Sequence, residues 1–277
     1  MKTAILGCGY IGTALLHFWK SERQHLIATT RDKARQHHLR PLAGDVRLVH
    51  GDDATALKAL CCDAHRLIVC VAPQRGDSYR NTYLTTAQTL AATLPHSSIR
   101  HLIYTSATSV YGCHNGDWVS ETSPLRPINE RATLLVQTED LYLSLASPSM
   151  HVTVLRLAGI TGPGREIINR ARALSGQECP GSGDQYCNLV DREDIVRAID
   201  WALAKPLEGI YNVCNDDHPT RDQLYGTLTT KLHLPPIQWN AQLQSTHSGN
   251  KRVSTEKIRT TGFRFLHRCL PKDMETS

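Results

Sequence analysis

Six short runs along the chain are apolar without alternation: "KTAIL" (2–6), "HLIAT" (25–29), "VRLVH" (46–50), "HRLIVCVA" (65–72), "RHLIYTS" (100–106) and "HVTVLRLA" (151–158). Continuous apolar character of this length suits strands buried on both faces of a parallel sheet. Helical patterning fills the stretches between them, at 10–20, 33–40, 53–60, 79–94 and 128–146. Strand and helix in alternation predict βαβ units and an α/β fold built on a doubly wound parallel sheet. After Gly159 the pattern changes. "ITGPGR", "PGSGDQ", "NDDHPT" and "LHLPPIQW" are loop-rich, with shorter elements between them such as a helix beginning near Asp191. This predicts a sheet domain over 1–158 and a smaller substrate-side region over 159–277, partly interleaved with the sheet.

Composition narrows the classes. At 277 residues, 40% hydrophobic and 21% charged, the chain reads as an ordinary globular protein of one large or two smaller domains. Its formal charge of +5 is modest and its densest basic cluster, "RDKARQHHLR" (31–40), is short, so no nucleic-acid partner is expected. No apolar run approaches the ~18 residues of a membrane span. No signal-peptide pattern precedes the first strand. Nine cysteines occur without a C-x-x-C, with Cys61 and Cys62 adjacent, which points to reduced thiols in a cytoplasm. A metal site is not expected either. The 14 histidines form no H-x-x-x-H, and Cys179 with Cys187 lacks a matching second pair. A small-molecule partner, in a monomer or homodimer, is the expectation that remains.

"AILGCGYIGTALLHFW" (4–19) carries a G-x-G-x-x-G in the setting that gives the motif meaning, with a strand before it and a helix after it. Gly7 allows the tight turn, Gly9 lets the backbone approach a pyrophosphate, and Gly12 lets the helix pack close to its strand. The amides of Tyr10, Ile11 and Gly12 then open the helix toward the phosphates. This is the Rossmann arrangement, and it implies a nicotinamide dinucleotide. The second strand runs on as "IATTRDKAR". Where an acid takes the ribose hydroxyls of NAD, this chain has Thr29 and Thr30, followed by Arg31, Lys33 and Arg35. Arginine forks suit a 2′-phosphate, so the expected cofactor is NADP in preference to NAD. The alternative for Arg31 is an ordinary loop charge, with Asp32 weakening the field.

Further motifs follow in order: "YTSATSVYG" (104–112), "RLAGITGPGR" (156–165), "NLVDREDIVRAI" (188–199) and "GIYNVCN" (209–215). With the glycine turn, they make the chain resemble the extended short-chain dehydrogenases/reductases, the NAD(P)-dependent epimerase/dehydratase group, from Lys2 to about Phe265. The shared features are Val110-Tyr111-Gly112, Arg156 with Gly162-Pro163, and Val190 with Asp194-Ile195. One glycine of the family's first turn is Leu6 here. The resemblance implies a cofactor-binding set of Gly7, Gly9, Tyr10, Ile11, Gly12, Arg31, Arg35, Asp52, Ala72 and Ser106.

The family's chemistry uses a Ser or Thr before V-Y-G and a Tyr-x-x-x-Lys on the next long helix, where lysine lowers the tyrosine pKa for proton exchange during hydride transfer. At those positions this chain carries Ala107, Arg131 and Leu135. None of its nine tyrosines has Lys four residues later, and no Lys lies between Lys58 and Lys205. Thr108 and Ser109 occupy the positions of the carboxylates that the dehydratase branch adds. The chain therefore resembles atypical members of the family. Ser106, Thr108, Ser109, Tyr111 and Arg131 are the candidate catalytic residues. Each has a bland alternative: loop hydroxyls satisfying backbone, Tyr111 packing, and Arg131 on a solvated helix face. Two functional readings follow. One is an oxidoreductase or epimerase-like enzyme acting on a small polar, anionic substrate; the other is a non-catalytic NADPH-binding redox sensor.

Overall fold

The computed structural model describes residues 1–243 and 249–269. The chain begins with β1 (Thr3–Leu6), α1 (Tyr10–Phe18), β2 (Leu26–Thr30), α2 (Lys33–Leu39), β3 (Asp45–Leu48), α3 (Ala54–Asp63) and β4 (Arg66–Val69). It continues through α4 (Thr86–Thr93), β5 (His101–Ala107), β6 (Trp118–Val119), α5 (Glu130–Leu143), β7 (His151–Leu157) and β8 (Gly159–Thr161). Next come α6 (Ile167–Leu174), β9 (Glu178–Pro180), β10 (Leu189–Asp191), α7 (Arg192–Ala204), β11 (Gly209–Val213) and α8 (Arg221–Lys231). β12 (Gln238–Asn240), β13 (Arg252–Val253) and α9 (Glu256–Thr260) complete the described elements.

Seven strands form one sheet in the order β11-β7-β5-β4-β1-β2-β3. The pairs β1–β2, β1–β4, β2–β3 and β4–β5 are parallel, and helices connect the strands. This is the expected doubly wound α/β fold. The order reverses between β1 and β4, and in such sheets that switch point marks where a ligand lies, at the carboxyl ends of the strands. Two elements differ from the sequence expectation. The helix expected over 79–94 begins as a π-helical stretch, Arg80–Thr85, before α4. A seventh strand, β11, joins the sheet from the "GIYNVCN" segment.

The chain divides into two compact units. Unit 1 comprises Met1–Ala107, Asn129–Arg156 and Val196–Tyr211; unit 2 comprises Thr108–Ile128, Leu157–Ile195 and Asn212–Ser277. Within unit 1 a contiguous apolar core joins Ala4, Leu6, Ile27, Leu57, Leu60, Leu67, Val69, Leu90, Leu102 and Val154. Within unit 2 a smaller core gathers Ile167, Ala171, Leu224, Tyr225 and Leu228 from α6 and α8. The remaining strands of unit 2 are short parallel pairs, β8–β10, β9–β12 and β6–β13. No helix among the described residues is long and apolar enough to cross a membrane.

Candidate dinucleotide and substrate site

The glycine turn lies between β1 and α1, and its three glycines face three different constraints. Gly7 has φ +96°, and a Cβ there meets the backbone of Cys70 and Val71 at 3.0 Å. At Gly12 a Cβ comes within 2.5 Å of the Gly7 carbonyl oxygen, so only glycine lets α1 approach its own turn. Gly9 is the opposite case, with nothing within 4 Å of its Cβ position. Its lack of a side chain is not needed for packing. It leaves open the space a pyrophosphate takes in this fold. Gly9 is also the N-cap of α1, so no capping side chain screens the helix start. Tyr10 is half-buried and Ile11 buried. Ile11 therefore anchors the helix with its side chain and offers a ligand only its backbone.

The end of β2 is tied to the same turn. Thr29 Oγ1 accepts the Gly7 N–H at 3.0 Å, and the Thr29 carbonyl accepts the Cys8 N–H at 2.9 Å. Thr30 Oγ1 accepts the Asp32 N–H at 3.1 Å. The Asp32 carboxylate is spent on capping α2, accepting the Ala34 N–H at 2.8 Å. The acid that follows Arg31 thus serves a helix end. Two arginines remain. Arg35 donates to Thr13 Oγ1 at 3.2 Å, which sets its guanidinium against the early part of α1, beside the glycine turn. Arg31 pairs with Asp77 at 2.6 Å, and Asp77 also accepts the Gln74 N–H at 2.8 Å. The Gln74 amide and the Arg31 guanidinium hold the Asp77 carboxyl below the usual carboxylate range.

Other positions of the expected set distribute as follows. Ala72 is exposed just beyond β4, next to the Val71 backbone that confines Gly7. Asp52 is exposed in the turn after β3, while its neighbour Asp53 caps α3 through the Ala56 N–H at 2.9 Å. Ser106, near the end of β5, is 5% exposed, and its hydroxyl donates to Glu139 Oε1 at 2.5 Å. Glu139 in turn receives the Arg156 guanidinium at 2.7 Å, in a pair whose side chains are 1% and 3% exposed. Gly7, Gly9, Gly12, Arg31, Arg35, Ala72 and Ser106 therefore all lie within unit 1, at or beside the carboxyl ends of β1, β2, β4 and β5.

On α5, Asn129 caps the helix by accepting the Ala132 N–H at 2.9 Å. Arg131 in the first turn is exposed, its guanidinium 4.7 Å from the centre of the Tyr79 ring. That stacking leaves the edge of the guanidinium fork able to take an anion. Leu135, one turn on, is buried, and Ala107 is half-buried at the end of β5.

Unit 2 begins at Thr108. Thr108 is buried, Ser109 half-buried, and the Ser109 carbonyl accepts the Gly112 N–H at 3.1 Å. Tyr111 is fully buried, and its hydroxyl donates to Asn212 Oδ1 at 2.7 Å. Asn212 is itself fixed, its Nδ2 donating to the Ser254 carbonyl at 3.0 Å and its N–H to Glu121 at 2.8 Å. Asp194 of the V-x-x-x-D-I stretch is buried and accepts the N–H groups of Leu266 and His267 at 2.6 and 2.9 Å. That bond set explains why this acid is buried: it pins the distant segment at Leu266–His267. Asp191, Glu193 and His267 place three ligand-capable atoms within 4.8 Å of one another.

Three participants were not singled out from sequence: Asp77, Tyr79 and Glu139 as a charge partner. Glu139 did leave a signal. It falls one turn after the buried Leu135 and three residues before the buried Tyr142, on the inward face of α5, where a carboxylate needs a partner. Asp77 left none, because only the strand order brings it to Arg31.

Comparison with known proteins bears on the fold and the family. Residues 4–214 match the NAD dependent epimerase/dehydratase family. Protein YeeZ of Escherichia coli (strain K12) is 32% identical over 250 residues, covering 88% of each chain. A functionally unknown conserved protein from Silicibacter pomeroyi DSS has a structure that aligns with TM-score 0.78 at 26% identity, over 99% of this chain and 97% of that one. DesIV, a dTDP-glucose 4,6-dehydratase from Streptomyces venezuelae solved with NAD bound, aligns with TM-score 0.82 at 18% identity, over 99% and 94% of the two chains. At that identity the likeness speaks for the fold alone. On the extent of the family match and the relation to YeeZ, the chain belongs to the NAD dependent epimerase/dehydratase family.

Proposed function

We propose that this protein binds a nicotinamide dinucleotide, NADP in preference to NAD, and acts as an oxidoreductase or epimerase-like enzyme on a small anionic substrate. The observation that carries the reading is the open space at Gly9, between two glycines whose Cβ positions are blocked. Gly7, Gly9, Gly12 and the start of α1 hold the pyrophosphate. Arg31 and Arg35 take the 2′-phosphate, with no free acid at Thr29 or Thr30 to oppose it. When bound, the nicotinamide supplies hydride transfer. Arg131 binds a substrate carboxylate or phosphate, since a guanidinium only donates and cannot exchange protons at neutral pH. A hydroxyl, water or the substrate itself carries the proton.

A second reading, a non-catalytic NADPH-responsive sensor, has its own support. Ser106 and Tyr111 are both buried with their hydroxyls donated to Glu139 and Asn212. Two of the five candidate catalytic groups are therefore committed to internal bonds.

The test is calorimetric titration of the protein with NADPH and NADH. NADPH binds roughly tenfold or more tightly, because each charge-assisted bond to the 2′-phosphate is worth ~1.5–3 kcal/mol. Gly9→Val abolishes binding of both while the melting temperature stays within a few degrees. Unaltered binding by a folded Gly9→Val protein refutes the cofactor site. Arg131→Met separates the two functions: NADPH affinity stays within twofold, while binding of small carboxylates or turnover falls by ~2–4 kcal/mol. No effect of Arg131→Met on any substrate response leaves the sensor.

A further inference from the structure

Arg31 sits just past the end of β2, and Asp77 belongs to the segment that follows β4. In the sheet these strands are not neighbours, because β1 lies between them. Strands two places apart are about 10 Å apart. The Arg31–Asp77 pair at 2.6 Å therefore reaches over the carboxyl end of β1, where the glycine turn starts. Asp77 is held for this contact from its own side by the Gln74 amide. Neither side chain is buried, with 37% and 29% of their surfaces exposed, so the pair is solvated and can open.

We propose that Asp77 is a specificity-determining residue that competes with the cofactor's 2′-phosphate for Arg31. This rests on the NADP reading above. In the free protein the guanidinium is neutralised across the turn by Asp77. In the NADP complex it exchanges that partner for the 2′-phosphate, which offers a dianionic, bidentate acceptor in place of one carboxylate oxygen. NAD carries no such group, so with NAD Arg31 stays on Asp77. The ion pair thus subtracts from the NADP preference and leaves NAD affinity untouched. It also links cofactor identity to the segment after β4: with NADP the Asp77 side chain is released from Arg31, with NAD it is not.

The experiment measures NADPH and NADH affinities of four proteins: wild type, Asp77→Asn, Arg31→Ala, and the double variant. Breaking a solvated pair of this kind is worth about three- to fivefold. Asp77→Asn accordingly tightens NADPH binding by about three- to fivefold and leaves NADH within 1.5-fold. In the Arg31→Ala background the same substitution gives no gain. An equal gain for both cofactors, a gain that survives in the double variant, or no gain at all overturns the proposal. These outcomes are distinct from failure of the NADP reading, which shows as no NADPH preference in the wild type and no loss on Arg31→Ala, and which removes this proposal with it.

Discussion

Each of the two units is stabilised internally by different means. In unit 1, strands and helices supply continuous apolar faces, and one core runs through β1, β2, β4, β5, β7 and helices α3 to α5. In unit 2 a smaller apolar core gathers on α6, α8 and their neighbours, and further apolar side chains such as Val119, Val190, Val253, Ile258 and Phe263 are buried among short strands and turns. Turns and single polar side chains carry a larger share of the joints there. Nine glycines with positive φ belong to it: Gly112, Gly116, Gly162, Gly164, Gly176, Gly181, Gly183, Gly249 and Gly262. Unit 1 has three, Gly7, Gly76 and Gly209. A Cβ at Gly112 would lie 1.7 Å from the Arg126 carbonyl oxygen, and one at Gly249 would lie 2.6 Å from the Cys113 backbone. Asn188 alone ties the Lys251 carbonyl and the Val253 N–H. Burial spread over many side chains tolerates exchange at any one of them. A joint made by one glycine or one amide does not.

The strongest challenge to this contrast comes from the polar exception inside unit 1. Glu139→Ala leaves the Arg156 guanidinium buried without its carboxylate and removes the acceptor of Ser106. The expected loss is about 3–5 kcal/mol of unfolding free energy by urea titration. A loss below 1 kcal/mol means water or a neighbour replaces the carboxylate, and the pair is not a structural centre of the unit.

A second, smaller effect sharpens the contrast through pH. His101 is 5% exposed, its Nε2 2.9 Å from Thr153 Oγ1. Burial pushes its pKa down to about 4, and the nearby His151 and Arg66 push the same way. An unfolded histidine titrates near 6.5. The contribution of neutral His101 is fully present above pH 6.5 and is lost as pH falls toward 4. Across that window it amounts to about 3 kcal/mol. Urea midpoints at pH 7 and pH 5 show a smaller difference in a His101→Gln variant than in the wild type. Identical pH dependence in the two removes His101 from the account.

The smallest effect belongs to unit 2. Tyr111→Phe keeps the ring but removes the bond to Asn212 Oδ1, leaving a buried acceptor unmet. About 1–2 kcal/mol of stability is lost. Because the ring packing is retained, a loss above 3 kcal/mol would mean that Asn212 and its links to Ser254 and Glu121 fail together.

The same contrast governs what could be read from the sequence. "TAIL", "LIATT" and "RLIV" declare β1, β2 and β4 because strands buried on both faces need nothing except apolar residues. β11 was harder to see: Asn212 interrupts its apolar run and pairs internally in place of packing. Strands of two or three residues, such as β6 and β13, carry no period at all. In the candidate site the glycine turn was legible because its three glycines fall at fixed spacing between one strand and one helix, whatever each of them faces. Arg31 was legible as a basic charge just past β2. Its partner was not, since Asp77 lies 46 residues away and meets it only through the order of strands in the sheet. The internal commitments of Ser106 and Tyr111 were hidden for the same reason.

Unit 1 is assembled from three separate stretches of chain, the last of them Val196–Tyr211. During synthesis its first 107 residues can form β1 to β5 and their helices, but β5 then waits with one edge unpaired. Its partner β7 begins at His151, and the neighbour of β7, β11, begins only at Gly209. A ribosome adding 5–20 residues per second leaves that edge bare for roughly several seconds. An open parallel edge of apolar residues is a template for pairing with another chain. The nascent protein is therefore most vulnerable to aggregation between β5 and β7, and truncations ending before β7 is complete at Leu157 preserve that vulnerable state permanently.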